Sequence, residues 1–136
     1  RNLIKTPLAA WIDFGYVREE STLTQGIHWK HSFDPSKMHY FNLRPIEPER
    51  PIFDIIKTGD VYMMGCHIVG GKDAWMNNLH LNQHNLQTLL QCGLMDDDQT
   101  FLLMNYLANP DLFELHYINE NENGWFVIFN KFNNGE

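Results

Sequence analysis

The sequence predicts an α/β fold, a mixed and partly parallel sheet with flanking helices, from three observations. Two helix-period segments, Lys72 to Gln91 and Gln99 to Ala108, follow one another late in the chain. Strand-like apolar runs stand on both sides of them. At 136 residues and 43% hydrophobic, the chain is long enough for one domain with a real core.

The run Leu8-Ala9-Ala10-Trp11-Ile12-Asp13-Phe14-Gly15-Tyr16 begins as continuous apolar sequence after Pro7, the pattern of a strand buried on both faces. Asp13 and Gly15 break it, so a carboxylate stands at the strand's C-terminal end, where ligands bind in open α/β sheets. The alternative is that Asp13 caps a turn that Gly15 merely permits. Residues 17 to 37 are turn material with at most a short helix. Within them His28, Trp29 and His31 cluster, and packing or solvated imidazole accounts for them. Met38 to Leu43 alternates and is rich in aromatics, which predicts a strand. Pro45, Pro48 and Pro51 mark an extended connector. Ile52 to Ile56 is open between strand and helical turn, and Gly59-Asp60 ends it.

Val61-Tyr62-Met63-Met64 reads as a strand that runs into a Gly-rich turn from Gly65 to Gly71. Glycine, lacking Cβ, lets a ligand come close to the backbone there. From Lys72 to Gln91 the residues Trp75, Leu79, Leu86, Leu89 and Leu90 fall near helical spacing, with Gly93 as the C-terminal stop. His80 and His84 share a face one turn apart, a spacing metal sites use, but without the glutamate of H-E-x-x-H they read as a solvated face. Asp96, Asp97 and Asp98 stand ahead of the second helix. One Asp serves as its N-cap; the other two exceed local need, and clustered like charge is costly unless solvent, a cation or a polar ligand spreads it. Asn109-Pro110 ends that helix, and Leu112 to Tyr117 follows as a strand with His116 near its end. Asn119 to Gly124 is a polar turn before a last apolar run, Trp125 to Phe129.

The net charge of −7, with ten Lys and Arg scattered and no basic run, argues against nucleic acid as a partner. No apolar run reaches membrane-spanning length, so membrane association is expected only through segments outside this sequence. Cys66 and Cys92 fit free core thiols in a reducing, cytoplasmic compartment; a single bridge is the alternative. The chain starts at Arg1 rather than Met and reads as the second half of something larger.

Three segments together carry a resemblance: Trp11-Ile12-Asp13-Phe14-Gly15-Tyr16, Met64 to Gly71 with Trp75, and Asp96-Asp97-Asp98-Gln99 with Asn109-Pro110. They resemble the HtrL/YibB family, bacterial proteins associated with lipopolysaccharide-core loci, and more distantly glycosyltransferases of the GT-A fold. The resemblance implies a nucleotide-sugar donor, a glycan acceptor and a nucleotide-binding half that precedes Arg1. It also implies that Asp13 takes the place of the first acid of a metal-binding D-x-D motif, with Mn²⁺ or Mg²⁺ as cofactor; His116, at the end of a late strand, is a candidate metal or phosphate contact on residue type alone, although a lone His is more often structural. Gly70, Gly71 and the Asp97-Asp98-Gln99 set would line the acceptor side; by residue type, apart from the resemblance, we add His67 and Trp75 to the substrate lining and take Asp97 and Asp98 as the catalytic candidates. The pattern departs from D-x-D at Gly15, where the second acid would stand, so divalent metal binding is expected to be weak.

The residue types suit glycosyl transfer without the family. A leaving diphosphate must be neutralised, and the acceptor hydroxyl needs a base within hydrogen-bond reach. Asp13 suits the first task and Asp97 or Asp98 the second, which requires that they face one cleft. A non-catalytic carbohydrate or nucleotide-sugar binding module competes with this reading. So does a metal-dependent hydrolase using Asp13, His67 and the Asp96 to Asp98 cluster.

Overall fold

A computed structural model describes residues 4–23, 26, 30–118 and 124–133. The elements are β1 (Leu8–Ile12), β2 (Met38–Asn42), α1 (Ile52–Thr58), β3 (Met63–Gly71), α2 (Lys72–Gln91), α3 (Asp98–Ala108), β4 (Phe113–Tyr117) and α4 (Ile128–Asn133). The strands form one mixed sheet in the order β1-β3-β2-β4. β3 runs antiparallel to both neighbours, and β2 pairs with β4 in parallel, Met38 opposite Phe113 and Asn42 opposite Tyr117. The expected class, mixed α/β with flanking helices, is the one observed. The pair His28 and Trp29 and most of the Asn119 to Gly124 turn lie outside the described residues.

Side-chain alternation on the central strand β2 builds two cores. Met38 and Tyr40 meet Ile55 of α1, Ala74 of α2 and Leu102 and Leu103 of α3 on one face. Phe41 points to the other face, where Tyr16, Phe33 and α4, through Ile128, Phe129 and Phe132, form the second layer. All five β2 residues are buried because strands flank the element on both sides and layers cover both faces. The short segment at Ile52, left open by sequence, is a helix that starts directly after Pro51 and ends at Gly59, whose φ of 68° suits glycine.

Three expectations are corrected. β1 is an edge strand: it pairs only with β3, so Trp11 is 54% exposed and Phe14 fully so, instead of lying between two layers. The Gly-rich stretch is not a turn, since β3 continues unbroken through Gly65, Gly70 and Gly71. These glycines serve close approach rather than unusual backbone angles. A Cβ would overlap the Asp98 carboxylate at Gly65, Met38 Sδ at Gly70 and the Pro35 carbonyl at Gly71. Finally, Leu79, Leu86 and Leu90 of α2 are exposed, while Ala74, Asn78, Asn85 and Leu89 are buried.

That inward polar stripe is satisfied locally. Asn105 of α3 donates to Asn78 Oδ1 (3.0 Å) and Asn82 Oδ1 (2.7 Å) and accepts from Asn85 Nδ2 (2.7 Å), and the Tyr40 hydroxyl donates to Asn78. Buried amides persist only when paired in this way. α2 ends as expected at Gly93: the Leu94 amide reaches back to Leu89 O and the Gly93 amide to Leu90 O, closing the helix with a left-handed residue.

Candidate functional site

β1, β3 and the start of α3 build a cleft at one edge of the sheet. The Asp13 amide donates to Cys66 O (2.9 Å), extending the β1–β3 ladder by one residue and holding Asp13 at that edge. Its carboxylate accepts from the Gly15 amide (3.2 Å), and its carbonyl from the Tyr16 amide (3.0 Å), so the chain turns sharply there. Opposite, the three acidic residues divide their tasks. Asp97 is the N-cap of α3, accepting from the Gln99 and Thr100 amides; Asp96 accepts from the Thr100 hydroxyl (2.6 Å). Asp98 is not needed as the cap: its carboxylate faces the first-turn amides of Asp98 and Gln99 and lies over the bare backbone of Gly65.

Two lobes meet at that point. The polar lobe, about 580 Å³, is bordered by Asp13, Arg18, Cys66, Asp98, Gln99 and Trp125. The apolar lobe, about 480 Å³, lies between Trp11, Trp75, Leu86, Met95 and Phe101, with Asn78 and Asn82 of the amide network in its wall. Trp11, Gly65 and Asp98 border both. A cleft of this size with few polar groups among aromatics has the form of a small-molecule site.

Burial raises the Asp98 carboxyl above the usual carboxylate range, reinforced by the negative charges of Asp97 and Asp13. Burial likewise pushes the Cys66 thiol up to about 12, with Asp13 and Asp98 adding to the effect and Arg18 opposing it. Cys66 is therefore a neutral thiol and a poor nucleophile. Arg18 donates to Gly15 O (3.2 Å) and its guanidinium stands 5.7 Å from the Phe126 ring centre, bringing a cation to the polar lobe. The arrangement offers a proton acceptor, a second carboxylate, a cation and flat apolar walls in one cleft.

The structure brings together Asp13, Asp98 and Gln99, and places Trp75 in the adjoining lobe, its indole N–H donating to Ala9 O (3.1 Å). It separates the rest. Asp97 is occupied as a cap. Gly70 and Gly71 stand at the opposite end of β3 from Gly65, roughly 17–20 Å away at about 3.3 Å per residue. His67 is fully buried in the second core, edge-on to Tyr16 at 4.0 Å and Phe129 at 5.3 Å, and burial lowers its pKa to about 4. His116 lies on β4, the far edge strand, three strand spacings or roughly 14 Å from β1, so it cannot share an ion with Asp13. The hydrolase trio of Asp13, His67 and the acidic cluster likewise does not converge. Of the cysteines, Cys66 is half-buried but Cys92 is exposed, and both are free.

Sequence reading missed Trp125, Arg18 and the amides of Asn78 and Asn82, and took Trp11 for core. Asn78, Asn82 and Asn85 recur at helical spacing, a visible polar stripe on α2 that the leucines obscured.

Among the described residues no helix is long and apolar enough to cross a membrane. No solved structure matches the chain. Protein HtrL of Escherichia coli (strain K12) is 37% identical over 134 residues, covering 96% of this chain and 46% of the relative. The chain thus spans about half the length of the curated relative it matches. The family model described as "Bacterial protein of unknown function (HtrL_YibB)" matches residues 1–134, almost the whole of the sequence that builds the cleft and both cores. The chain belongs to the HtrL_YibB family.

Proposed function

We propose that this chain supplies the acceptor side of a nucleotide-sugar-dependent glycosyltransferase of GT-A-like architecture, acting on a glycan such as a lipopolysaccharide core. The observation that carries the reading is Asp98: a carboxylate in excess of capping need, raised in pKa, set over a glycine where two lobes meet and within electrostatic reach of Asp13. In this reading the apolar lobe takes the flat faces of acceptor sugars against Trp11 and Trp75, and the polar lobe faces the donor phosphates, with Arg18 as cation. The acceptor hydroxyl oxygen attacks the anomeric carbon, the bond to the diphosphate breaks with its electron pair, and the hydroxyl proton passes to Asp98. Asp13 is the residue that would hold a divalent cation, which would neutralise the leaving diphosphate with donor oxygens and water completing its shell. A single carboxylate, already accepting from Gly15, supports only weak binding by the protein alone.

The test is transfer from a panel of nucleotide sugars to oligosaccharide acceptors, with the wild-type protein and Asp98→Asn. A positioned base contributes about 10²–10⁴-fold, so transfer is expected to fall at least 100-fold with acceptor binding retained. Transfer unchanged in Asp98→Asn overturns the assignment. The second reading, a carbohydrate-binding module, is favoured by Gly15 standing where a second acid is needed for a metal. It predicts saturable quenching of tryptophan fluorescence by glycans, and no turnover with any donor.

A further inference from the structure

On the other face of the sheet, away from the cleft, three potential metal ligands converge that no sequence motif groups together, His31, Glu114 and His116, and a fourth, His39, adjoins the last two. β2 and β4 pair in parallel with Glu114 opposite His39 and His116 opposite Phe41, so alternation sends the side chains of His39, Glu114 and His116 to one face. His39 Nδ1 lies 3.0 Å from His116 Nε2 and 3.7 Å from Glu114 Oε2, and His116 Nε2 lies 4.0 Å from Glu114 Oε1. His31 arrives from the loop before β2, its amide bonded to Phe132 O (3.3 Å). One ligand atom each from His31, Glu114 and His116 fall within 4.8 Å of one another.

We propose that His31, His39, Glu114 and His116 form a four-coordinate site for a zinc-class divalent cation. Bonds of 2.0–2.2 Å in a tetrahedron place neighbouring ligand atoms about 3.3–3.6 Å apart, and the three distances above bracket that value before any ion draws them in. The tautomer is also prepared. His39 is fully buried and its Nε2 lies 2.8 Å from Asp34 O; a carbonyl only accepts, so Nε2 carries the hydrogen and Nδ1 presents its lone pair to the site. A backbone carbonyl holding the far nitrogen is the outer-sphere arrangement that orients metal-binding histidines. Without metal the His116 Nε2–H donates into that lone pair. On binding, the neutral His116 ring moves its proton to Nδ1 and frees Nε2, with no net proton released.

Imidazole nitrogens with one carboxylate select zinc-like ions over Mg²⁺ or Ca²⁺, which prefer all-oxygen shells. Phe33, Phe41 and Phe132 pack against the His116 ring and shield the site on the protein side. Glu114, 47% exposed, leaves an entry from solvent. Lys131 also acts on His116, but its ammonium is held by Tyr117 O (2.9 Å). Bound there, the ion clips the loop at His31 to the two parallel strands.

The test is calorimetric titration of chelator-stripped protein with Zn²⁺, with imidazole ¹⁵N shifts as a second readout. One ion per chain is expected, shifting the ring nitrogens of His31, His39 and His116. Glu114→Gln, at an exposed side chain, should weaken binding at least 10-fold while leaving metal-free thermal unfolding unchanged; His31→Ala should weaken binding as much, with a small loss of metal-free stability because the half-buried ring packs against Phe33, Phe132 and His116. The helix-surface pair His80 and His84 is the competing site, and its double alanine variant should bind as wild type. Absence of saturable binding, retention of full affinity in both ligand variants, or loss in the His80/His84 variant would each overturn the assignment.

Discussion

Truncating Asn105 to Ala tests whether the amide network, rather than apolar packing, fixes α2 and α3 against the sheet. Asn105 is fully buried, and its side chain is the hub joining Asn78, Asn82 and Asn85. Removing it leaves Asn85 Nδ2 and Asn82 Oδ1 without this partner, whereas Asn78 Oδ1 keeps the Tyr40 hydroxyl. An orphaned buried group such as Asn85 costs about 1–3 kcal/mol and the half-buried Asn82 less, so the loss is roughly 2–4 kcal/mol, a large share of a typical 5–15 kcal/mol. An unfolding entropy of about 2.1 cal/mol/K per residue converts a 3 kcal/mol loss into a Tm drop of roughly 10 °C. Asn105→Asp separates hydrogen bonding from shape. It is nearly isosteric, but a carboxylate has no N–H and would set oxygen against the Asn78 and Asn82 oxygens, so it should lose at least as much as Ala. Urea unfolding at constant m reads both variants. If both stay within about 0.5 kcal/mol of wild type, below the cost of a single orphaned group, the network does not hold the helices.

Three other outcomes follow from the geometry. Gly71→Ala should destabilise by about 1–3 kcal/mol because its Cβ meets the Pro35 backbone. Gly65→Ala should cost less, displacing only the end of the Asp98 side chain and impairing the cleft instead; paired urea and ligand-binding measurements check the contrast. Asp97→Ala should lose about 1 kcal/mol as a lost N-cap, more than Asp98→Ala under the same urea titration. His67 makes stability pH-dependent: its folded pKa is about 4 against 6.5 unfolded, so as pH falls from 6.5 toward 4 the unfolded chain takes up the proton first. Up to roughly 3 kcal/mol should be lost across that window and none above it, and His67→Phe should flatten this limb in a pH series of unfolding curves.

Local rules made much of the chain legible. Hydrophobic period located α2 and α3, Gly93 and Asn109-Pro110 marked their ends, and proline spacing exposed the connector before α1, because caps, breakers and periodicity act within a few residues. The excess of acid over capping need before α3 was visible for the same reason: one helix end uses one cap. Which carboxylate borders both lobes of the cleft was not visible, since Asp98 is set there only by how α3 docks on Gly65. Sheet order was equally hidden. An apolar run reads alike at an edge and at a centre, so Trp11 looked like core until β1 paired on one side only. The histidines show the limit most sharply. His31, His39 and His116 are spread over 86 positions of sequence, and only the parallel pairing of β2 with β4 sets two of them 3.0 Å apart, whereas His80 and His84, adjacent by local rule, stay on an exposed helix face.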